Sequence, residues 1–394
     1  MDQLKLKLNP RYIEPINIGE VYDKKIYIFI LNEEYFEQEM IELVDGGVNF
    51  KNVVINQWTI EFVNVLLAIK KFKRLDFTHC VIGQDTFNQL HDSLNHIETL
   101  HLYDNIITGD EMRTLFEILA QLYILSAEEY NLPLKNLILA QVALPENLNF
   151  EIFNNIQNLE LAYTPRKTLE MIFKTLEYNR SIERLIIKKT SFDESVVKQL
   201  VSLINHNTSI NEYVFGIIKM DQMFAGPITE ALGANTWIHR LRISFFIDDI
   251  LPVLSIPPHL KLLIYKTKKI MGGEYLSKIF DRIRDYHGMQ HLEFVTEDIV
   301  SEQRILDKIT GAFAKNKSIA SFVCDEKMLP APIMGTINLF IAVNQYVPFF
   351  LIISTMSHFS IASRLLKTDI VLNNHRSIGT NMKKSLLQTC WMSQ

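Results

Sequence analysis

One phrase recurs along the chain: an apolar residue, two residues of any kind, an apolar residue, one of any kind, an apolar residue. It reads Ile97-x-x-Leu100-x-Leu102, Leu134-x-x-Leu137-x-Leu139, Ile156-x-x-Leu159-x-Leu161 and Ile182-x-x-Leu185-x-Ile187. It continues as Ile210-x-x-Tyr213-x-Phe215, Ile238-x-x-Leu241-x-Ile243, Leu260-x-x-Leu263-x-Tyr265, Met289-x-x-Leu292-x-Phe294 and Ile319-x-x-Phe322-x-Cys324. Upstream, Phe50-x-x-Val53-x-Ile55 and Phe72-x-x-Leu75-x-Phe77 fit, and Ile26-x-Ile28 fits the second half. At the far end Val347-x-x-Phe350-x-Ile352 fits again. Successive copies are 22 to 30 residues apart, with one step of 37 between Leu100 and Leu137. Alternation makes each phrase a strand with one face in a core. No single unit of this length can bury its own apolar face, so neighbours must stack.

Helical spacing fills the intervals. Met112, Leu115, Phe116, Leu119 and Leu122 fall at i, i+3, i+4 intervals, as do Leu169, Ile172, Phe173 and Leu176. Val196, Val197, Leu200, Val201 and Ile204 repeat the pattern, and so do Leu276, Ile279, Phe280 and Ile283. The unit is therefore strand, turn, helix, turn. A second signature sits where helix returns to strand: Asn179-Arg180-Ser181-Ile182, Asn207-Thr208-Ser209-Ile210, Asn235-Thr236-Trp237-Ile238 and Asn316-Lys317-Ser318-Ile319. Asparagine tolerates the left-handed backbone that ends helices, which predicts that conformation at these positions. Asn179, Asn207 and Asn316 also match the glycosylation sequon, but the repeating junction accounts for them structurally.

Two places break the rhythm. The long step carries an extra segment, 120–132, expected to form a loop on one face of the stack. Pro252, Pro257 and Pro258 exclude an ordinary helix between Ile243 and Leu263. Near the end, 337–356 is uncharged and nearly long enough to span a bilayer. Asn338, Asn344, Gln345 and Pro348 interrupt it, and the phrase at Val347 predicts a helix end followed by a strand, Phe349 to Ile353. No membrane span is expected.

The chain has 394 residues, a formal net charge of -5 and three cysteines. The acidic balance argues against binding nucleic acid by general charge attraction. Cys80, Cys324 and Cys390 have no metal-ligand spacing and read as reduced thiols, which points to the cytoplasm. Cys80 and Cys324 are expected to face inward as small hydrophobes. No phosphate loop, dinucleotide fingerprint or zinc motif occurs; His287 and His291 are separated by Gly288, and His291 opens a strand. The reading is of no enzyme, with no catalytic or metal-binding residues and no cofactor.

Long strand-and-helix units joined by Asn-x-Ser-Ile resemble the ribonuclease-inhibitor type of leucine-rich repeat. The resemblance implies an α/β solenoid shaped as a horseshoe, with parallel strands on the concave face and helices on the convex face. It covers residues 23–368 in about 11–13 units, preceded by a cap segment, 1–22, and followed by a tail, 369–394. The chain departs from the family after the strand phrase, where Asn or Cys normally bonds the turn backbone. Here that position holds Cys80, Asn105, Val142, Thr164, Thr190, Ile218, Phe246, Lys268, Glu297, Lys327 and Thr355.

In this type of repeat the residues between and beside the apolar strand positions line the concave face, which makes them the candidate partner-binding set. Asp76, His79, His101, Tyr103, Glu160 and Tyr163 form an acidic and aromatic zone. Lys188, Arg240, Arg242 and Lys266 form a basic one, with Phe245 as an apolar anchor, and Glu293 and Asp325 a second acidic one. Zoned charge steers and orients a protein partner, and aromatics dominate interface hot spots. The expected function is protein recognition by a monomer, without nucleic acid. The alternative is an activator or inhibitor of an enzyme of the small-GTPase or nuclease type, or an intracellular scaffold. The Ile-, Asn- and Lys-rich composition is also similar to that of leucine-rich-repeat effectors injected by intracellular bacteria such as Legionella. On that resemblance the chain acts in the host-cell cytosol, on a host or bacterial protein.

Overall fold

The computed structural model describes residues 40–356, apart from short internal stretches of which the longest are most of 56–72, 128–133, 245–255 and 267–272. The expected cap segment, the strand at Ile26 and the tail lie outside the described residues, as do Phe245, Phe246, Lys268, Glu297 and Cys390.

The first five strands are β1 (Met40–Val44), β2 (Gly47–Lys51), β3 (Val54–Ile55), β4 (Arg74–Thr78) and β5 (Val81–Ile82). Short helices α1 (Thr86–Gln89) and α2 (His91–Leu94) precede β6 (Thr99–Tyr103) and β7 (Ile106–Ile107). Then come α3 (Gly109–Ala127), β8 (Asn136–Ala140), β9 (Asn158–Ala162), α4 (Arg166–Leu176), β10 (Arg184–Ser191), α5 (Glu194–His206) and β11 (Glu212–Lys219). The remainder is α6 (Ala225–Ala234), β12 (Arg240–Ser244), β13 (Leu262–Lys266), α7 (Gly273–Arg284), β14 (His291–Val295), α8 (Gln303–Lys315), β15 (Ser321–Cys324) and α9 (Ala331–Met356).

Twelve strands form one sheet in chain order, β1-β2-β4-β6-β8-β9-β10-β11-β12-β13-β14-β15. From β2 onward every pairing is parallel, and the phrase stays in register throughout. Leu75, Leu100, Leu137, Leu159, Leu185, Tyr213, Leu241, Leu263, Leu292 and Phe322 pair in sequence across the sheet. These side chains and the third phrase position pack with Leu169, Phe173, Val196, Leu200, Phe280 and Phe313 from the helices in one continuous core. The architecture is α/β with a large parallel sheet, consistent with a stacked-repeat solenoid. Among the described residues no helix is long and apolar enough to cross a membrane.

Four expectations need correction. The second repeat is shifted: Val48 pairs with Leu75 and Phe50 with Phe77, so Phe50 closes the phrase rather than opening it. Asp45 stands where the phrase wants an apolar residue, so the template favoured the fuller but false match at Val53. Val54–Ile55 instead starts a second, three-stranded sheet with β5 and β7. The phrase at Val347 is helical, within α9. Its first half shares the i, i+3 interval with a helix, and local spacing alone does not separate the two. The extra segment 120–132 is no loop as far as Ala127, where it extends α3.

The fourth correction concerns the junction asparagines. Asn207, Asn235 and Asn316 are extended, with φ of -77°, -72° and -74°. Their side chains tie repeats together instead. Asn207 Nδ2 donates to the carbonyls of Leu176 at 2.7 Å and Asn179 at 2.9 Å, and Oδ1 accepts from Ser209 and Ile210 N–H at 2.9 and 2.8 Å. Asn179, Asn235 and Asn316 repeat the arrangement, and Asn344 of α9 extends it by donating to Asn316 and Ile319 carbonyls. Asn179, Asn207 and Asn316 are 5%, 1% and 0% exposed, so their sequons are inaccessible in the folded chain.

Candidate functional site

Left-handed backbone does occur, at the other end of the repeat. Asn52, His79, Asp104, Gln141, Tyr163, Lys189 and Ile217 all have φ between 50° and 56°. Each lies four residues after the middle apolar residue of its strand, so seven successive repeats place one left-handed residue at the same edge of the sheet. Pairing survives because the N–H of the turned residue reaches the next strand: His79 N–H to Tyr103 O at 2.9 Å, Tyr163 N–H to Lys188 O at 3.1 Å. A β-branched residue such as Ile217 pays steric strain there. The turn aims the side chains of His79, Asp104, Tyr163 and Lys189 along one edge, where they meet Tyr103 from β6.

That edge is an aromatic and charged cluster. His79 Nδ1 lies 2.9 Å from Asp104 Oδ2. Tyr103 meets the His79 ring edge-on, with centroids 5.1 Å apart, and lies 6.5 Å from the Tyr163 ring. The Lys189 ammonium sits 5.1 Å from the centroid of Tyr163, which remains 40% exposed. Hydrogen bonding and charge from Tyr163 raise the Lys189 pKa above its ordinary value. Cation-π contact over an exposed ring is worth about 0.5–1 kcal/mol, so the arrangement is ordered without being sealed from solvent.

The face of the sheet opposite the helices carries the remaining candidates. One row runs Asp76, His101, Ile138, Glu160, Ile186, Val214 and on to Arg242, Ile264 and Glu293. The next holds Tyr103, Lys188 and Lys266. Asp76 is buried, clasped by Arg74 at 2.8–3.0 Å with His101 Nδ1 3.7 Å away. Burial pushes its pKa up, but His101 and Arg74 outweigh that and hold it below the usual carboxylate range. Asp325 stands apart, exposed beyond β15, and its carboxylate accepts from Lys327 N–H at 3.0 Å.

Cross-strand pairs neutralise parts of the expected charge zones, while Arg240 and Arg242 stay grouped on one shared carboxylate. Lys188 Nζ donates to Glu160 at 3.0 Å, and Lys266 Nζ lies 2.6 Å from Glu293, so these lysines do not form a free basic patch. Adjacent strands bring side chains of opposite charge within reach, whatever their distance in sequence. Three participants were missed: Arg74, Arg184 and Glu212. All occupy the strand position just before the middle apolar residue, as Arg240 does, so the flanking rule that selects Arg240 also selects them. Glu212 is 4% exposed and faces Arg184, Arg240 and Arg242.

Comparison with protein families finds no match, and comparison with curated proteins finds none either. Among solved structures, leiomodin-1 actin-binding site 2 aligns with 49% of this chain and 82% of its own at 11% identity and a TM-score of 0.23. A likeness that distant carries no argument about this chain.

Proposed function

We propose that the chain is a non-catalytic recognition protein: a leucine-rich-repeat solenoid whose sheet face, the concave side of a horseshoe, binds another protein. The observation that carries this reading is the left-handed column. Seven turns of identical geometry present side chains that differ from repeat to repeat, His79, Asp104, Tyr163 and Lys189 among them. Constant backbone with varied side chains along one edge is what a recognition surface needs, and it asks for no reacting group. Tyr103 and Tyr163 supply rigid amphipathic anchors. The His79–Asp104 pair beside them adds direction to the encounter.

The test is affinity capture with the full chain and with Tyr103→Ala/Tyr163→Ala, after circular dichroism and melting show both folded. A stoichiometric protein retained by the former and lost by the latter supports the reading. Retention by both removes the aromatic edge as the binding site.

A further inference from the structure

We propose that Arg184, Arg240 and Arg242, gathered around Glu212, form a subsite for a carboxylate on an acidic segment of the partner protein; this deepens the recognition reading and rests on it. Arg184, Glu212 and Arg240 are direct neighbours in one row across β10, β11 and β12, and Arg242 follows two residues along β12. Arg242 Nε donates to Glu212 Oε1 at 2.8 Å. Arg184 Nε is 3.3 Å from the same oxygen, buried and without a hydrogen bond among the described residues, and Arg240 reaches Oε2 only at 3.7 Å. Glu212 thus holds three guanidiniums together while accepting one hydrogen bond from them. Three guanidiniums carry about fifteen donors between them, far more than one carboxylate can accept.

The cluster stands out from the rest of the face. Lys188 has Glu160, Lys266 has Glu293 and Arg74 has Asp76, one carboxylate for each cation. Here three cations share a single one. The side chains of Arg184, Arg240 and Arg242 are 36%, 58% and 36% exposed, so an arriving anion can reach them. Like charges held this close repel, and a second carboxylate relieves the repulsion while accepting charge-assisted, bidentate bonds. Among the described residues the row itself has no other carboxylate to supply it: the flanking positions are Asn158 on β9 and Leu262 on β13.

Size selects the ligand. Three neighbouring strands span about 10 Å, room for one or two carboxylates. A nucleic-acid backbone crossing the sheet would run onto the Lys188–Glu160 pair on one side and the Lys266–Glu293 pair on the other, neutral pairs that offer its further phosphates no net positive charge.

The experiment is fluorescence anisotropy of a labelled oligoglutamate peptide with the full chain at about 0.1 M salt, where the screening length is about 10 Å. A single-stranded oligonucleotide serves as the second probe. Wild type is expected to bind oligoglutamate more tightly than the oligonucleotide. Arg240→Gln/Arg242→Gln should weaken the peptide by about tenfold or more, whereas Lys188→Gln/Lys266→Gln, which removes the same charge from paired sites, should change it by about twofold or less. Arg240→Gln alone alters the most exposed of the three and keeps the test valid if the double variant does not fold; it should still weaken binding several-fold. Absence of peptide binding, equal losses in the arginine and lysine variants, or tighter binding of the oligonucleotide would each overturn the proposal. A captured partner lost by Tyr103→Ala/Tyr163→Ala but kept by the arginine variant would sink this subsite and leave the recognition reading standing.

Discussion

Asn207 Nδ2 donates to the backbone carbonyl of Asn179 at 2.9 Å, linking the same position in two successive repeats. With its bond to Leu176 O and the two N–H groups it accepts, one buried amide satisfies four backbone groups belonging to two units. Asn207→Ala should therefore cost about 3 kcal/mol or more, because the backbone partners stay buried after the amide is gone. Asn207→Asp should also destabilise, since a carboxylate cannot donate to two carbonyls and carries charge into a buried site. Urea unfolding reads both changes; a midpoint within error of wild type for Asn207→Ala would show that the ladder does not hold the repeats.

Asp76 gives stability a pH dependence of definite sign. Its folded-state pKa is lowered, the pull of His101 and Arg74 exceeding the effect of burial. A depressed carboxylate contributes stability above the unfolded value, about 3.9, and loses it as pH falls through the lower folded value. Asp76→Asn should cost about 1–3 kcal/mol at pH near 7, and the gap from wild type should narrow below pH of about 4. Unfolding curves for both proteins at the two pH values decide it, and a gap that stays constant would refute the assignment.

Tyr213 offers a stabilising substitution. Its ring is fully buried and stacks on Phe215 at 5.9 Å, and its hydroxyl has no hydrogen-bond partner among the described residues. Burial drives its pKa far upward, so the group stays neutral. Tyr213→Phe removes an unsatisfied polar atom and keeps the ring, which should raise stability by about 1 kcal/mol with an unchanged denaturant slope. A loss of stability would mean that the hydroxyl has a partner in solution.

Cys80 and Cys324 should resist alkylation. Cys80 is fully buried, with Sγ 3.1 Å from Phe50 O. Cys324 lies against Met334 Sδ at 3.5 Å, and burial, aided by Asp325, pushes its pKa up to about 11. At pH near 8 only about 0.1% of such a thiol is ionised, so labelling should run about a hundredfold slower than for an ordinary cysteine. Peptide mapping after brief iodoacetamide treatment measures each site; rapid labelling at Cys324 would contradict its half-buried setting.

What the sequence by itself determined is the set of elements that local spacing encodes. Ten phrases from Leu75 to Phe322 became in-register parallel strands, because alternation selects which side chains face a core whatever the neighbours are. The four helical patterns held for the same reason. Spacing failed where two periods coincide, at Val347, and where the phrase was incomplete, at Val48. The site was legible residue by residue but not in its pairings: Tyr103, Tyr163 and Arg242 were named, while Glu212 and Arg184 were passed over. Only the tertiary structure decided that Lys188 belongs to Glu160, that Glu212 gathers three arginines, and that the left-handed turn falls on Tyr163 rather than Asn207. Each of these depends on which side chains adjacent strands bring within a few ångströms, and residues about one repeat apart in sequence become neighbours only when the units stack.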